Sequence, residues 1–63
     1  MVACNALETP DHARTVFTSP APGILVTLLN GRVLPSGYEQ IAPNQVRFDV
    51  PPDIGDVVTF FVH

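Results

Sequence analysis

The sequence predicts an all-β fold, a small antiparallel sandwich or partly open barrel of about five to six short strands with an extended N-terminal arm. Three observations predict it. Seven prolines and four glycines divide the 63 residues into pieces too short for a long helix. The pieces between those breaks are rich in Val, Ile, Thr, Phe and Tyr, which fit a pleated, half-buried surface. Asn30-Gly31, set between two apolar runs, is the preferred centre of a two-residue hairpin turn, because both positions there take positive φ.

Residues 1–13, MVACNALETPDHA, show no period-2 pattern and read as the arm. Within them Thr9-Pro10-Asp11 is compatible at most with a single helical turn, capped by Thr9 with Pro10 at its first position. Residues 14–63 form one β domain. Its candidate strands are Arg14 to Thr18, Ile24 to Asn30, Arg32 to Leu34, Tyr38 to Ala42, Gln45 to Val50 and Val57 to Val62. Pro43-Asn44 reads as a second tight turn, with proline fixing φ and Asn tolerating the left-handed position after it. Gly55 supplies positive φ before the last strand, and Asp56 closes that turn.

The strands differ in pattern. In Gln45 to Val50 the residues Val46, Phe48 and Val50 alternate with Gln45, Arg47 and Asp49, which describes a strand with one wet face. Ile24 to Leu29 is apolar on both sides, with Ile24, Val26 and Leu28 opposite Leu25, Thr27 and Leu29. Val57 to Val62 repeats this, with Val57, Thr59 and Phe61 opposite Val58, Phe60 and Val62. A domain of this size buries only roughly 60% of its unfolded surface, so some of this apolar surface is expected to meet a partner. The expected interface residues are Ile24, Leu25, Leu29, Val58, Phe60 and Val62, with the arm ordering on contact.

Composition excludes several function classes. Net charge is −3, and the three basic residues, Arg14, Arg32 and Arg47, are scattered singly, so no groove tracks a phosphate backbone and no nucleic-acid partner is expected. No apolar run approaches the roughly 20 residues of a membrane-spanning helix, and the N-terminus lacks the basic start and apolar centre of a signal peptide. A soluble protein made in a cytoplasm is therefore expected. Cys4 is the single cysteine, which rules out an intrachain disulfide. Cys4, Glu8, Asp11, His12 and His63 have no metal-ligand spacing, so no metal or other cofactor is expected. Asp49, Asp53 and Asp56 are interrupted by prolines and do not follow a calcium-loop spacing. Cys4 and His12 lack a third group to orient the imidazole, so no enzyme is expected.

From residue 29 the chain runs LNGRVL, YEQI and VRFDVPPDIGDVV. The ordered set Leu29, Asn30, Gly31, Leu34, Tyr38, Val46, Phe48, Pro51, Pro52, Gly55, Asp56 and Val58 resembles a small β module recurring in tail fibres and other virion structural proteins of tailed bacteriophages. Pro35 after the leucine departs from that pattern, as does the shortness of the chain. A fibre module is one link of a long trimeric shaft, for which 63 residues leave no room. The resemblance thus implies a non-enzymatic bacteriophage protein located in the virion, a capsid decoration or cement protein that binds the major capsid protein of the assembled shell. It also implies a homo-oligomer, with a homotrimer favoured. Two alternatives stand beside it. One is a small tail or tail-fibre-associated adaptor subunit. The other is a glycan- or peptide-binding module using Tyr38 and the loop Pro35 to Gly37, although a lone aromatic more often packs at a strand end.

Overall fold

The computed structural model describes residues 2–63, and among them lie seven strands and no helix. The strands are β1 (Val2–Asn5), β2 (Val16–Thr18), β3 (Ile24–Leu29), β4 (Arg32–Val33), β5 (Tyr38–Ala42), β6 (Gln45–Phe48) and β7 (Val58–Val62). They form a four-stranded sheet of order β1-β7-β3-β4 and a three-stranded sheet of order β2-β6-β5. Every neighbouring pair is antiparallel. Of the two architectures open from sequence, the fold is the sandwich.

The turns follow from local chemistry. Asn30 and Gly31 sit at φ 54° and 78°, so the β3–β4 hairpin takes the turn that matches the right-handed twist of its strands. Gly55 lies at φ 92°, as the turn before β7 requires. Pro43-Asn44 does join β5 to β6, but Asn44 stays out of the left-handed region. A turn of that kind tends to splay two-residue hairpins, and the register shift between Gln40 and Ala42 absorbs the mismatch.

The core fills the space between the sheets. Phe17, Val46 and Phe48 come from the small sheet, and Val58, Phe60 and Val62 from the large one. Phe17 meets Phe48 edge-on at 5.5 Å between ring centroids, an arrangement aromatic quadrupoles favour. Phe60 and Phe17 are fully enclosed, and burying each side chain contributes about 1.5–3 kcal/mol. The radius of gyration, 10.2 Å, is close to the roughly 10.6 Å expected of a compact 63-residue domain.

Four sequence expectations change here. Val58, Phe60 and Val62, expected at a partner interface, are the chain's own core, because the small sheet layers onto that face of β7. The N-terminal segment is extended, but it lies on the domain rather than awaiting a partner, apart from residue 1, which is outside the described residues. Val2 to Asn5 register with Val62 to Thr59, Ala6 N–H donates to Val58 at 2.9 Å, and Leu7 N–H donates to Thr18 at 2.9 Å. Around Pro10 there is no helical turn. Asp11 instead accepts from the N–H groups of Ala13 and Arg14 at 2.9 and 2.7 Å, holding a bend. The strand expected over Gln45 to Val50 also ends early, at Phe48; Asp49 N–H adds one last bond in the β5 register, to Gly37 O at 2.9 Å, before the chain reaches Pro51.

Candidate interaction face

Alternation from the core residues fixes what each sheet turns outward. On β7 the outward residues are Thr59 and Phe61, since Val58, Phe60 and Val62 point in, and Val57, 47% exposed, stands just before the strand. Register then carries the outer face across the sheet: Phe61 stands beside Val26 and Ala3, Thr59 beside Leu28 and Asn5, and Leu28 beside Val33. The polar pair on this face is internally satisfied, because Thr59 Oγ1 donates to Asn5 Oδ1 at 3.0 Å. The remaining members, Ala3, Val26, Leu28, Val33, Val57 and Phe61, are apolar, and none is charged. Leu28, between Thr59 and Val33 in register, is only 7% exposed, whereas Val33 at 56% and Val57 at 47% are open to solvent.

A β-bulge decides which β3 residues belong here. The register shifts between Ile24 and Val26, so Ile24 pairs with Val62 on the inner side and Leu25 is the extra residue, 49% exposed. Ile24 and Leu29 therefore pack against the core, half-buried, and are not surface groups. Of the six interface residues expected from sequence, Leu25 alone is exposed. The two-sided apolar pattern of β3 and β7 is present in the fold, and the face that stays outside is the opposite of the one expected. The signal was polarity: Val58, Phe60 and Val62 are all apolar whereas Thr59 puts a hydroxyl among Val57 and Phe61, and the wholly apolar face goes inside.

The end of this face is fastened by polar chemistry. Asn30 donates from Nδ2 to Asp56 Oδ1 at 3.0 Å and accepts from Val57 N–H at 2.8 Å, which ties the β3–β4 turn to the start of β7. Asp56 also accepts from Asp53 N–H at 2.9 Å. The Asn30 amide, then the Asp53 N–H, hold the Asp56 carboxyl below the usual range for aspartate. Beside the turn an open recess of about 340 Å³ is lined by Leu29, Asn30, Arg32 and Leu34. Arg32 is its single ionisable group, which gives no acid–base pair to work with.

The other candidates are occupied structurally. Tyr38 is half-buried and lies 6.2 Å from the ring of Phe48, tilted by 38°. Cys4 faces Ser19 at 3.5 Å, while His12 pairs with Asp53, leaving no thiol–imidazole couple. Among the described residues no three His, Cys, Asp or Glu side chains converge as metal ligands. No described helix is long and apolar enough to cross a membrane. Set against protein-family models, curated proteins and solved structures, the chain matches none.

Proposed function

We propose that this chain is a non-enzymatic virion structural protein of a tailed bacteriophage, a decoration or cement protein that docks on the assembled shell and self-associates. The observation that supports docking is the outer face of the large sheet, where Ala3, Val26, Leu28, Val33, Val57 and Phe61 lie together without a charge. Unlayered apolar faces on folded domains are typical of surfaces that meet other proteins. The partner that fits is an equally uncharged, flat protein surface, since any charge buried there would go unpaired. The ordered motif set from Leu29 to Val58 supports the virion assignment, and it alone does so.

Purified phage particles provide the test. Electron cryomicroscopy is expected to show this sandwich on the shell exterior with Val26 and Phe61 turned toward the capsid. Particles that lack the chain overturn the reading, and density on the tail replaces the cement role with that of an adaptor. In parallel, Val26→Lys should abolish co-sedimentation with shells while leaving the circular dichroism spectrum of the free protein unchanged.

A further inference from the structure

Open sheets expose edge strands, and three of the four edges here carry a guard. β2 is covered from within, as Thr18 N–H donates to Glu8 Oε1 at 2.6 Å and Thr18 C=O accepts from Leu7 N–H at 2.9 Å. β4 is two residues long, begins with Arg32 and is followed within two residues by Pro35. β5 carries Glu39 and is broken by the shift between Gln40 and Ala42. Short length, charge, proline and bulges are the usual devices against edge-to-edge pairing. β1, Val-Ala-Cys-Asn, has none of them.

The free groups on β1 follow from its ladder. Ala6 donates to Val58, so Ala6, Cys4 and Val2 are in the phase that bonds to β7. Ala3 and Asn5 therefore direct their N–H and C=O groups away from the sheet, and among the described residues nothing accepts from or donates to them. We propose that this edge pairs antiparallel with β1 of a second copy of the chain, merging two four-stranded sheets into one continuous sheet.

Symmetry selects the register. A two-fold axis between antiparallel strands must pass through one residue position, and an axis at Cys4 sets Ala3 opposite Asn5 of the second copy. That choice engages all four free groups of each strand, in four hydrogen bonds; among the described residues, an axis at Ala3 engages only the Ala3 groups across it. β1 is uncharged, so no like charges meet across the axis. The axis runs perpendicular to the sheet, which keeps both outer faces on the same side and doubles the uncharged surface. An isologous edge closes after two copies, unlike the three that the fibre-like resemblance implies. The pairing rests on backbone geometry and not on shell docking, so either fails without the other.

Sedimentation velocity over micromolar to millimolar concentration, with amide exchange followed by NMR, tests the pairing. The wild-type chain is expected to dimerise, with the Ala3 and Asn5 amides gaining protection as the dimer fills. Ala3→Pro removes an N–H that takes no part in the β1–β7 ladder and should give a folded monomer. Ala3→Lys, which keeps the N–H but adds an edge charge, should weaken dimerisation at least about tenfold. A wild-type monomer at every concentration overturns the proposal and leaves the edge to a strand of some other protein. A trimer, or a dimer that survives both substitutions, overturns it as well.

Discussion

The outward faces of the two sheets differ in what they ask of their surroundings. On the small sheet Arg47 bonds Glu39 at 2.8 Å, Gln45 donates to Thr18 Oγ1 at 3.2 Å, and Thr18 in turn donates to Glu8 at 2.7 Å. Water can solvate what those bonds leave over. The large sheet turns out Val26, Leu28, Val33, Val57 and Phe61, with one satisfied Thr–Asn pair among them. Both sheets give their inner faces to one shared core, so the difference between them is not a matter of folding. A 63-residue chain that closes its core and still leaves a second apolar face is the pattern on which the docking proposal rests.

The strongest way to break this comparison lies within β7 itself. Phe60 is fully enclosed and Phe61 is half-buried on the outer side. Phe60→Ala should cost about 3–5 kcal/mol in urea denaturation, enough to unfold most of a small domain, with Phe61→Ala at least about 2 kcal/mol milder. Equal costs would mean that the faces are assigned the wrong way round. Next in size is Asn30→Ala, which puts alanine at φ 54° and deletes the bonds to Asp56 and Val57. A loss of about 1–3 kcal/mol is expected, and Asn30→Gly, which keeps the turn, should lose less.

Asn30-Gly31 shows why parts of this fold were legible from sequence. A turn that needs two positive φ values admits few residue pairs, so its chemistry is local and readable. Gly55 and the strand runs of β3, β5, β6 and β7 were readable on the same grounds. β1 was not: Val-Ala-Cys-Asn has no period of its own and becomes a strand only because β7, at the far end of the chain, offers it an edge. Leu25 defeated the face assignment on β3, since one bulged residue reverses every side chain before it and nothing local announces it. For the interaction face, two-sided strands were visible as surplus, yet which side is surplus depends on where the second sheet lands.

Two smaller effects sharpen the contrast between satisfied and unsatisfied polar groups. Thr27 is fully buried opposite Phe60, and its Oγ1 has no partner among the described residues. Thr27→Val should therefore stabilise the domain, by about 1 kcal/mol in chemical denaturation. Acid probes the satisfied groups. Burial pushes the Glu8 carboxyl up, but the Thr18 hydroxyl and N–H bonds outweigh it and hold it below the ordinary 4.5. The Arg14 and Ala13 N–H groups lower Asp11 below 3.8, and Asp56 is lowered likewise. For each, the unfolded chain binds the proton first as pH falls, so the stabilisation is present above the ordinary value and disappears through the lower, folded one. Denaturation midpoints followed by pH should show these contributions intact at pH 6 and falling away below about pH 4.

The smallest effect is expected from the most visible contact on the polar face. Arg47 and Glu39 lie directly opposite each other across β6 and β5, with side chains 57% and 63% exposed. Water screens the pair, and holding two long side chains in one geometry costs entropy, so the Coulomb attraction is largely offset. A double-mutant cycle with Arg47→Ala and Glu39→Ala should give a coupling of about 0.5 kcal/mol or less at physiological salt, shrinking further in 1 M NaCl. Neither substitution should alter co-sedimentation with shells, whereas Val26→Lys on the opposite face should abolish it. If the Arg47 variant lost shell binding and the Val26 variant kept it, the polar face would be the docking surface, and the uncharged one would need another explanation.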